Sequence, residues 1–245
     1  QQALLAGRPV QWLDAAPQSF DGVMLANEVL DVMPVRLFVK RTSAPGDCAE
    51  RGVAVRDGKL AFADSEAPPD LVAAVRDIEA DAGPLPAGYA SEVGFAARAW
   101  MRSAADWLAR GALLAIDYGF PCREYYHPQR LMGTIMCHYR HHAHADPFWL
   151  PGLNDLTAHV DFSAMAAAAH DGGLDVQGYT TQAHFLINCG LLAQLQAAPG
   201  AANSAAAQRL LSEAEMGELF KVLAVGRGIE APLLGFAHGD RRARL

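Results

Sequence analysis

Residues 92–119 read EVGFAARAWMRSAADWLARGALLAIDYG. The first part has helical spacing: Phe95, Ala99, Met101, Trp107 and Leu108 fall on or near one stripe, which predicts a helix over Glu92–Arg110 with Gly111 as its C-terminal stop. ALLAIDYG (112–119) is apolar throughout and ends on Asp117 and Tyr118, the pattern of a strand buried on both faces. Helix, glycine, apolar strand and acidic end together describe a crossover unit. They predict an α/β fold with a doubly wound, mostly parallel sheet and helices on both faces.

Upstream, PVQWL (9–13) ends at Asp14 and GVMLA (22–26) ends at Asn27-Glu28; both runs read as further strands buried on both faces. QQALLAG (1–7) reads as the tail of a helix closed by Gly7, and the opening residue is Gln, so a longer natural chain is expected. Between 34 and 65 the period changes. Val35, Leu37 and Val39 alternate with polar neighbours, as do Val53 and Val55, then Leu60 and Phe62 beyond Asp57-Gly58. Such alternation around an Asp-Gly turn predicts an inserted antiparallel hairpin. PPDLVAAVRDIEA (68–80) is helical by its Leu71, Val75 and Ile78, and GPLPAG (83–88) breaks it.

Downstream, residues 120–160 are rich in His, Tyr, Arg and Pro, too long for a plain connection and too aromatic for disorder; they are read as a second insertion, a lid. A helix over Ser163–His170 follows, stopped by Gly172-Gly173, then a strand at 174–179 and a helix from Thr180/Thr181 through Leu195. Residues 197–207 read as a surface linker, Ser212–Glu215 as a capping box, and 220–226 and 232–236 as two closing strands. The expectation is a single domain over 1–245.

Composition excludes several classes. The 245 residues carry 20 − 27 = −7 charges, with 51% apolar and 19% charged residues, enough for a sizeable core. No apolar run reaches the ~18 residues of a membrane span. The negative balance and the lack of a basic run argue against a nucleic-acid partner. Cys48, Cys122, Cys137 and Cys189 form no C-x-x-C pair and read as free thiols of a reducing compartment; nothing at the N-terminus reads as a signal peptide. Only Lys40, Lys59 and Lys221 are lysines, a bias attributed to genome composition, and a cytoplasmic bacterial protein is expected.

In open α/β sheets ligands bind beyond the carboxyl ends of the strands. There the sequence places Asp14, Asn27-Glu28 with Asp31 behind them, and Asp117-Tyr118. Gathered carboxylates repel one another unless a cation or a donor-rich ligand sits among them; singly, each is equally a helix cap or a solvated acid. Cys137, His138, His141, His142 and His144 match no structural-zinc spacing, so no metal is expected, and Arg140 is read as the ligand-facing residue of that tract. Asp155, His159 and Asp161 form either an acid–base arrangement or a turn network. No G-x-S-x-G, Walker or G-x-G-x-x-G motif is present.

Five segments in collinear order carry a resemblance: ANEVLDVMP (26–34), IDYGF (116–120), GTIMCHYRHH (133–142), PGLNDLTAHVDF (151–162) and TQAHFLINCG (181–190). The chain resembles the MidA-type, S-adenosylmethionine-dependent methyltransferases, a family that includes a mitochondrial complex I assembly factor methylating a protein arginine. The resemblance implies a class I methyltransferase fold with an antiparallel final strand, S-adenosylmethionine as cofactor, and a protein substrate. Such enzymes carry a glycine-rich loop after their first strand and an acidic residue after the second; this sequence has neither and opens just before the expected third strand.

By resemblance, Asp14 and Ala15 lie near the adenine edge and Asn27 beside the methionine end of the cofactor. Glu28, with Asp31, sits where the acceptor arrives, and a carboxylate there can hold a guanidinium in bidentate fashion. Glu28, Asp117 or His159 can take the released proton. Tyr118, Arg140, Asp155 and Asp161 belong to the acceptor side. Two rivals remain open: a non-catalytic assembly factor on the same fold, with Trp149, Tyr125 and Tyr126 as partner anchors, and a metal-dependent hydrolase using the histidine tract.

Overall fold

The computed structural model describes residues 2–140 and 142–245. In order, the elements are β1 (Phe20–Asn27), β2 (Arg36–Lys40), β3 (Cys48–Arg56), β4 (Lys59–Glu66), α1 (Pro69–Ala82), β5 (Ala90–Val93), α2 (Phe95–Trp107) and β6 (Leu108–Phe120). Next come α3 (Cys122–Tyr125), β7 (Met136–Tyr139), β8 (His142–His144), β9 (Asp155–Thr157), β10 (Val160–Asp161) and α4 (Phe162–Asp171). The last are β11 (Asp175–Thr181), α5 (Gln182–Asn188), α6 (Leu191–Ala197), α7 (Ala201–Leu211), α8 (Met216–Leu219) and β12 (Phe220–Arg227).

The central sheet runs β1-β6-β12-β11, with β10 continuing beside the end of β6. β1 and β10 lie parallel to β6; β12 is antiparallel to both β6 and β11, so every strand but the last shares one direction. One face, with Leu113, Ala115, Leu223 and Val225, packs on Met101, Ala104 and Ala105 of α2 and on Met165 and Ala169 of α4. Small residues let these two helices approach closely: a Cβ on Gly172 would lie 2.5 Å from that of Ala105. The other face, with Leu114, Ile116, Val222 and Ala224, is covered by Phe185 and Phe236.

That second cover stops short of β1. Val23 and Leu25 are 63% and 68% exposed, so GVMLA is a strand with one wet face rather than one buried on both. PVQWL forms no strand: residues 8–13 are irregular and exposed, with no neighbouring strand to take their backbone bonds.

The first insertion is a four-stranded antiparallel sheet, β4-β3-β2-β5, that extends beyond the expected hairpin through α1 to residue 93. Its tip is the expected turn, with Asp57 and Gly58 both at positive φ (51° and 74°). α1 buries Leu71, Val75 and Ile78 against it. The helix expected from Glu92 starts instead at Phe95, because Ala90–Val93 is fully buried and paired with β2. The second insertion forms a small sheet, β8-β7-β9.

Other expectations change too. The linker at 197–207 is largely the helix α7, whose alanines favour that state without packing. Ser212 caps the C-terminus of α7 and makes no side-chain capping bond to α8. Residues 234–236 are a 3-10 turn that plugs the sheet with Phe236, not a strand. The helix after Thr181 breaks at Gly190, which is left-handed. Gly111 is no helix stop: β6 begins at Leu108, and Gly111 lies opposite Gly22 with φ 124°.

That glycine pair sets how closely β1 and β6 approach, since a Cβ on Gly111 would lie 1.9 Å from the Gly22 carbonyl oxygen. Gly111→Ala is therefore expected to cost at least ~3 kcal/mol by forced overpacking. Gly58→Ala, in open space, costs about 1 kcal/mol of backbone strain alone. Denaturant unfolding of both variants checks the order, and equal losses would refute the close-approach constraint.

Candidate functional site

The carboxyl ends of β1 and β6 are adjacent: Asn27 pairs with Ile116, and the Glu28 amide still donates to the Ile116 carbonyl at 2.9 Å. The chain then turns sharply, with Glu28 in the left-handed region (φ 50°). A non-glycine residue held there costs roughly 1–2 kcal/mol. The side chain of Glu28 is exposed, and the Asn27 amide donates to its Oε1 at 3.3 Å.

Asp117 receives the turning loop. Its Oδ2 accepts from the Leu30 and Asp31 amides at 3.0 and 3.3 Å, and its Oδ1 from the Tyr118 amide at 3.0 Å. Only 1% exposed, the Asp117 carboxyl is pushed up to about 7 by burial and by the Asp31 charge. The Tyr118 hydroxyl donates to Asp31 Oδ2 in a short bond; burial and that bond hold the phenol above its ordinary value. Asp31 Oδ1 is buried with no hydrogen-bond partner among the described residues, as are Thr157 Oγ1 and His159 Nδ1.

The second insertion packs against the other side. The Ala158 amide donates to the Asp31 carbonyl at 3.1 Å, and the His159 ring lies between Tyr118 and Phe120 at centroid distances of 5.2 and 5.3 Å. Burial, then the charges of Arg130 and Lys221, push the His159 imidazole down to about 4, so it is neutral at neutral pH.

Asn27, Glu28, Asp31, Asp117, Tyr118 and His159 are thus brought together. The other candidates are not. Asp14 and Ala15 lie on the exposed irregular N-terminal segment, at no strand end. Asp161 caps α4, accepting from the Ala164 amide at 3.1 Å, and burial pushes it up to about 6. It therefore serves the turn network rather than an acid–base pair with His159.

Asp155 is exposed on β9, opposite His138, and Arg140 is exposed at positive φ with its guanidinium over the Tyr139 ring. Tyr125 and Tyr126 are buried, so they anchor no partner; Trp149 is exposed. His141 lies outside the described residues, and no group of three or more potential metal ligands occurs among those described. All four cysteines are free.

Two residues behind His159 carry no sequence signal. The Thr134 hydroxyl accepts from the His159 amide at 3.0 Å, and Thr134 is held in turn by the buried Glu92. Glu92 reads as a helix residue in the sequence; only the pairing of β5 with β2 turns it inward.

An acidic rim, with an exposed carboxylate and an unpartnered buried carboxylate oxygen, suits cationic guests such as a sulfonium or a guanidinium. The polar Asn27 side chain at the end of β1 has the chemistry for one wall of an S-adenosylmethionine site, and the sequence given holds no glycine-rich loop for the other.

The titrations oppose each other. From about pH 4 to 7 folded Asp117 keeps a proton that the unfolded chain has lost, so its contribution to stability falls as pH rises. From about pH 4 to 6.5 folded His159 lacks a proton that the unfolded chain binds, so its contribution rises. His159→Leu removes the rising part. Unfolding free energy, measured by urea titration, should then fall with pH more steeply than in the wild type, by up to about 1.4 kcal/mol per unit. An unchanged slope would contradict a buried neutral His159.

A family model described as "Putative S-adenosyl-L-methionine-dependent methyltransferase" matches residues 1–180. A Danio rerio protein named protein arginine methyltransferase NDUFAF7, mitochondrial, is 28% identical over 193 residues, 78% of this chain and 42% of that one. A Burkholderia thailandensis protein crystallised with S-adenosyl-homocysteine is 48% identical, with TM-score 0.88, over 96% of this chain and 61% of its own. A native crystal structure from the same organism is 47% identical, with TM-score 0.90, over 100% and 67%. The chain thus spans under half of its curated relative. Its mixed, mostly parallel sheet matches these structures, and the chain belongs to this S-adenosyl-L-methionine-dependent methyltransferase family.

Proposed function

We propose that this chain supplies the acceptor side of an S-adenosylmethionine-dependent methyltransferase acting on a nitrogen, an arginine guanidinium of a protein, in the bacterial cytoplasm. In this reading residues 1–245 are one methyltransferase-like domain with the insertions as its lid. The observation that carries it is Asp31: a buried carboxylate with one oxygen held by Tyr118 and the other without a partner, on the same loop after β1 as the exposed Glu28. The named arginine methyltransferase relative supports the acceptor type.

Bound S-adenosylmethionine supplies an electrophilic methyl group on a sulfonium. This chain's residues supply orientation, which contributes up to roughly 7–11 kcal/mol in favourable systems. Glu28, steadied by Asn27, receives two guanidinium N–H groups in bidentate fashion; charge-assisted bonds of this kind contribute about 1.5–3 kcal/mol each. Asp31 Oδ1 accepts a third. A guanidinium keeps its proton at every pH below about 12, so the proton leaves only as the methyl group passes from the sulfonium to the nitrogen. Asp31 Oδ1, with its open lone pair, takes that proton, while Asp117 holds the loop from behind. His159, neutral, closes the site without adding a competing charge.

Glu28→Gln keeps the shape and removes the charge. The natural protein with this change is expected to bind S-adenosylmethionine as before by calorimetry and to lose at least about 100-fold in methyl transfer to arginine-containing protein. Full activity discards the acceptor role of Glu28, and no cofactor binding by the wild type ends the enzyme reading. Glu28→Gly separates function from fold: relief of the left-handed strain raises stability by up to about 1 kcal/mol while transfer is lost.

A further inference from the structure

A buried carboxylate on the inserted sheet reaches the acceptor site through one side chain. Glu92 lies on β5, which the mechanism above does not use, yet its side chain is withdrawn from solvent and gathers three donors on one oxygen. Glu92 Oε1 accepts from the Tyr125 hydroxyl at 2.7 Å, from the Thr134 amide at 2.9 Å, and from the Thr134 hydroxyl in a short bond. A hydroxyl has one hydrogen to give. Because Thr134 gives its own to Glu92, its lone pairs face outward and accept the His159 amide at 3.0 Å. The next residue back, Ala158, is tied to the Asp31 carbonyl.

We propose that Glu92 and Thr134 are positioning residues, fixing the backbone at His159 so that its ring packs on Tyr118, the residue that holds Asp31. The inserted antiparallel sheet is by this account part of the site's frame rather than an appendage. Gly133 fits the same account. It has φ 69°, and a Cβ there would lie 2.2 Å from Glu92 Oε2, so only glycine lets the 133–134 backbone reach the carboxylate. Burial raises the Glu92 carboxyl above its ordinary value, and the three donors oppose that rise. The proposal rests on the acceptor-site reading for its effect on methyl transfer, and on geometry alone for its effect on His159.

The test separates the two. In the natural full-length protein, Thr134→Val removes the hydroxyl at nearly constant volume, and Thr134→Ser restores it. The His159 imidazole is followed by NMR across pH. The charged and titratable groups around it are Tyr118 on β6, Arg130 in the second insertion and Lys221 on β12. In Thr134→Val the ring loosens and its midpoint rises toward its ordinary 6.5, while Thr134→Ser stays at the wild-type value. For methyl transfer, kcat falls on the order of 100-fold in Thr134→Val with S-adenosylmethionine affinity unchanged, and Ser rescues it. Glu92→Gln, whose neutral amide oxygen accepts more weakly from Thr134, moves the midpoint in the same direction by less, and an unmoved midpoint removes Glu92 from the proposal.

A folded Thr134→Val variant with the wild-type His159 midpoint overturns the proposal. A shifted midpoint with undiminished transfer upholds the positioning of His159 and overturns its place in the site. If the wild-type protein transfers no methyl group, the function reading falls and the imidazole midpoint alone decides the positioning.

Discussion

The Asp117 carboxylate, buried at the end of β6, is the interaction on which the site depends. Three backbone N–H groups converge on it: two from the loop leaving β1 and one from its own neighbour. A loop at a strand end has amides with no sheet partner, and burying them unsatisfied costs about 1–3 kcal/mol each. Asp117 satisfies them, and in doing so sets where Asp31 points. Tyr118 then holds one oxygen of Asp31 and leaves the other free. Remove Asp117 and the rim of acids has no fixed shape.

The two insertions meet this frame from one side. The antiparallel sheet places Glu92 behind Thr134, and the second insertion joins Thr134 to His159 by a hydrogen bond across 25 residues of chain. Both contacts are polar and lie apart from the central sheet's apolar core, to which Met101, Leu113, Met165 and Leu223 belong. Division of labour of this kind lets a packed sheet carry stability while the inserted elements shape the site.

Much of the site was legible as chemistry at strand ends. Asn27-Glu28 and Asp117-Tyr118 each follow an apolar run, and the rule that α/β sheets bind at their carboxyl edges brought them together before any coordinates did. Asp14 followed the same pattern and misled, since PVQWL has no strand beside it and stays irregular. Asp161 and Tyr125 misled differently. An acid near a histidine and an aromatic in a polar tract look functional, yet one caps a helix and the other is buried under the inserted sheet. Thr134 lies inside the GTIMCHYRHH segment, yet nothing there singles it out, because one hydroxyl in a mixed tract has no period.

The amino-acid sequence by itself determined the element types at the centre of the molecule: the apolar run of β6 at 112–116, an Asp-Gly hairpin tip with both residues left-handed, and an alanine-rich pair of helices. These follow from local rules, the period of apolar residues and the conformations each side chain tolerates. Tertiary structure alone decided that Glu92 is a strand residue facing inward, that Gly111 sits inside a strand against Gly22, and that Asp31 keeps an oxygen free. Those outcomes turn on partners far apart in the chain, and burial, not propensity, selects among conformations that the local sequence leaves close in energy.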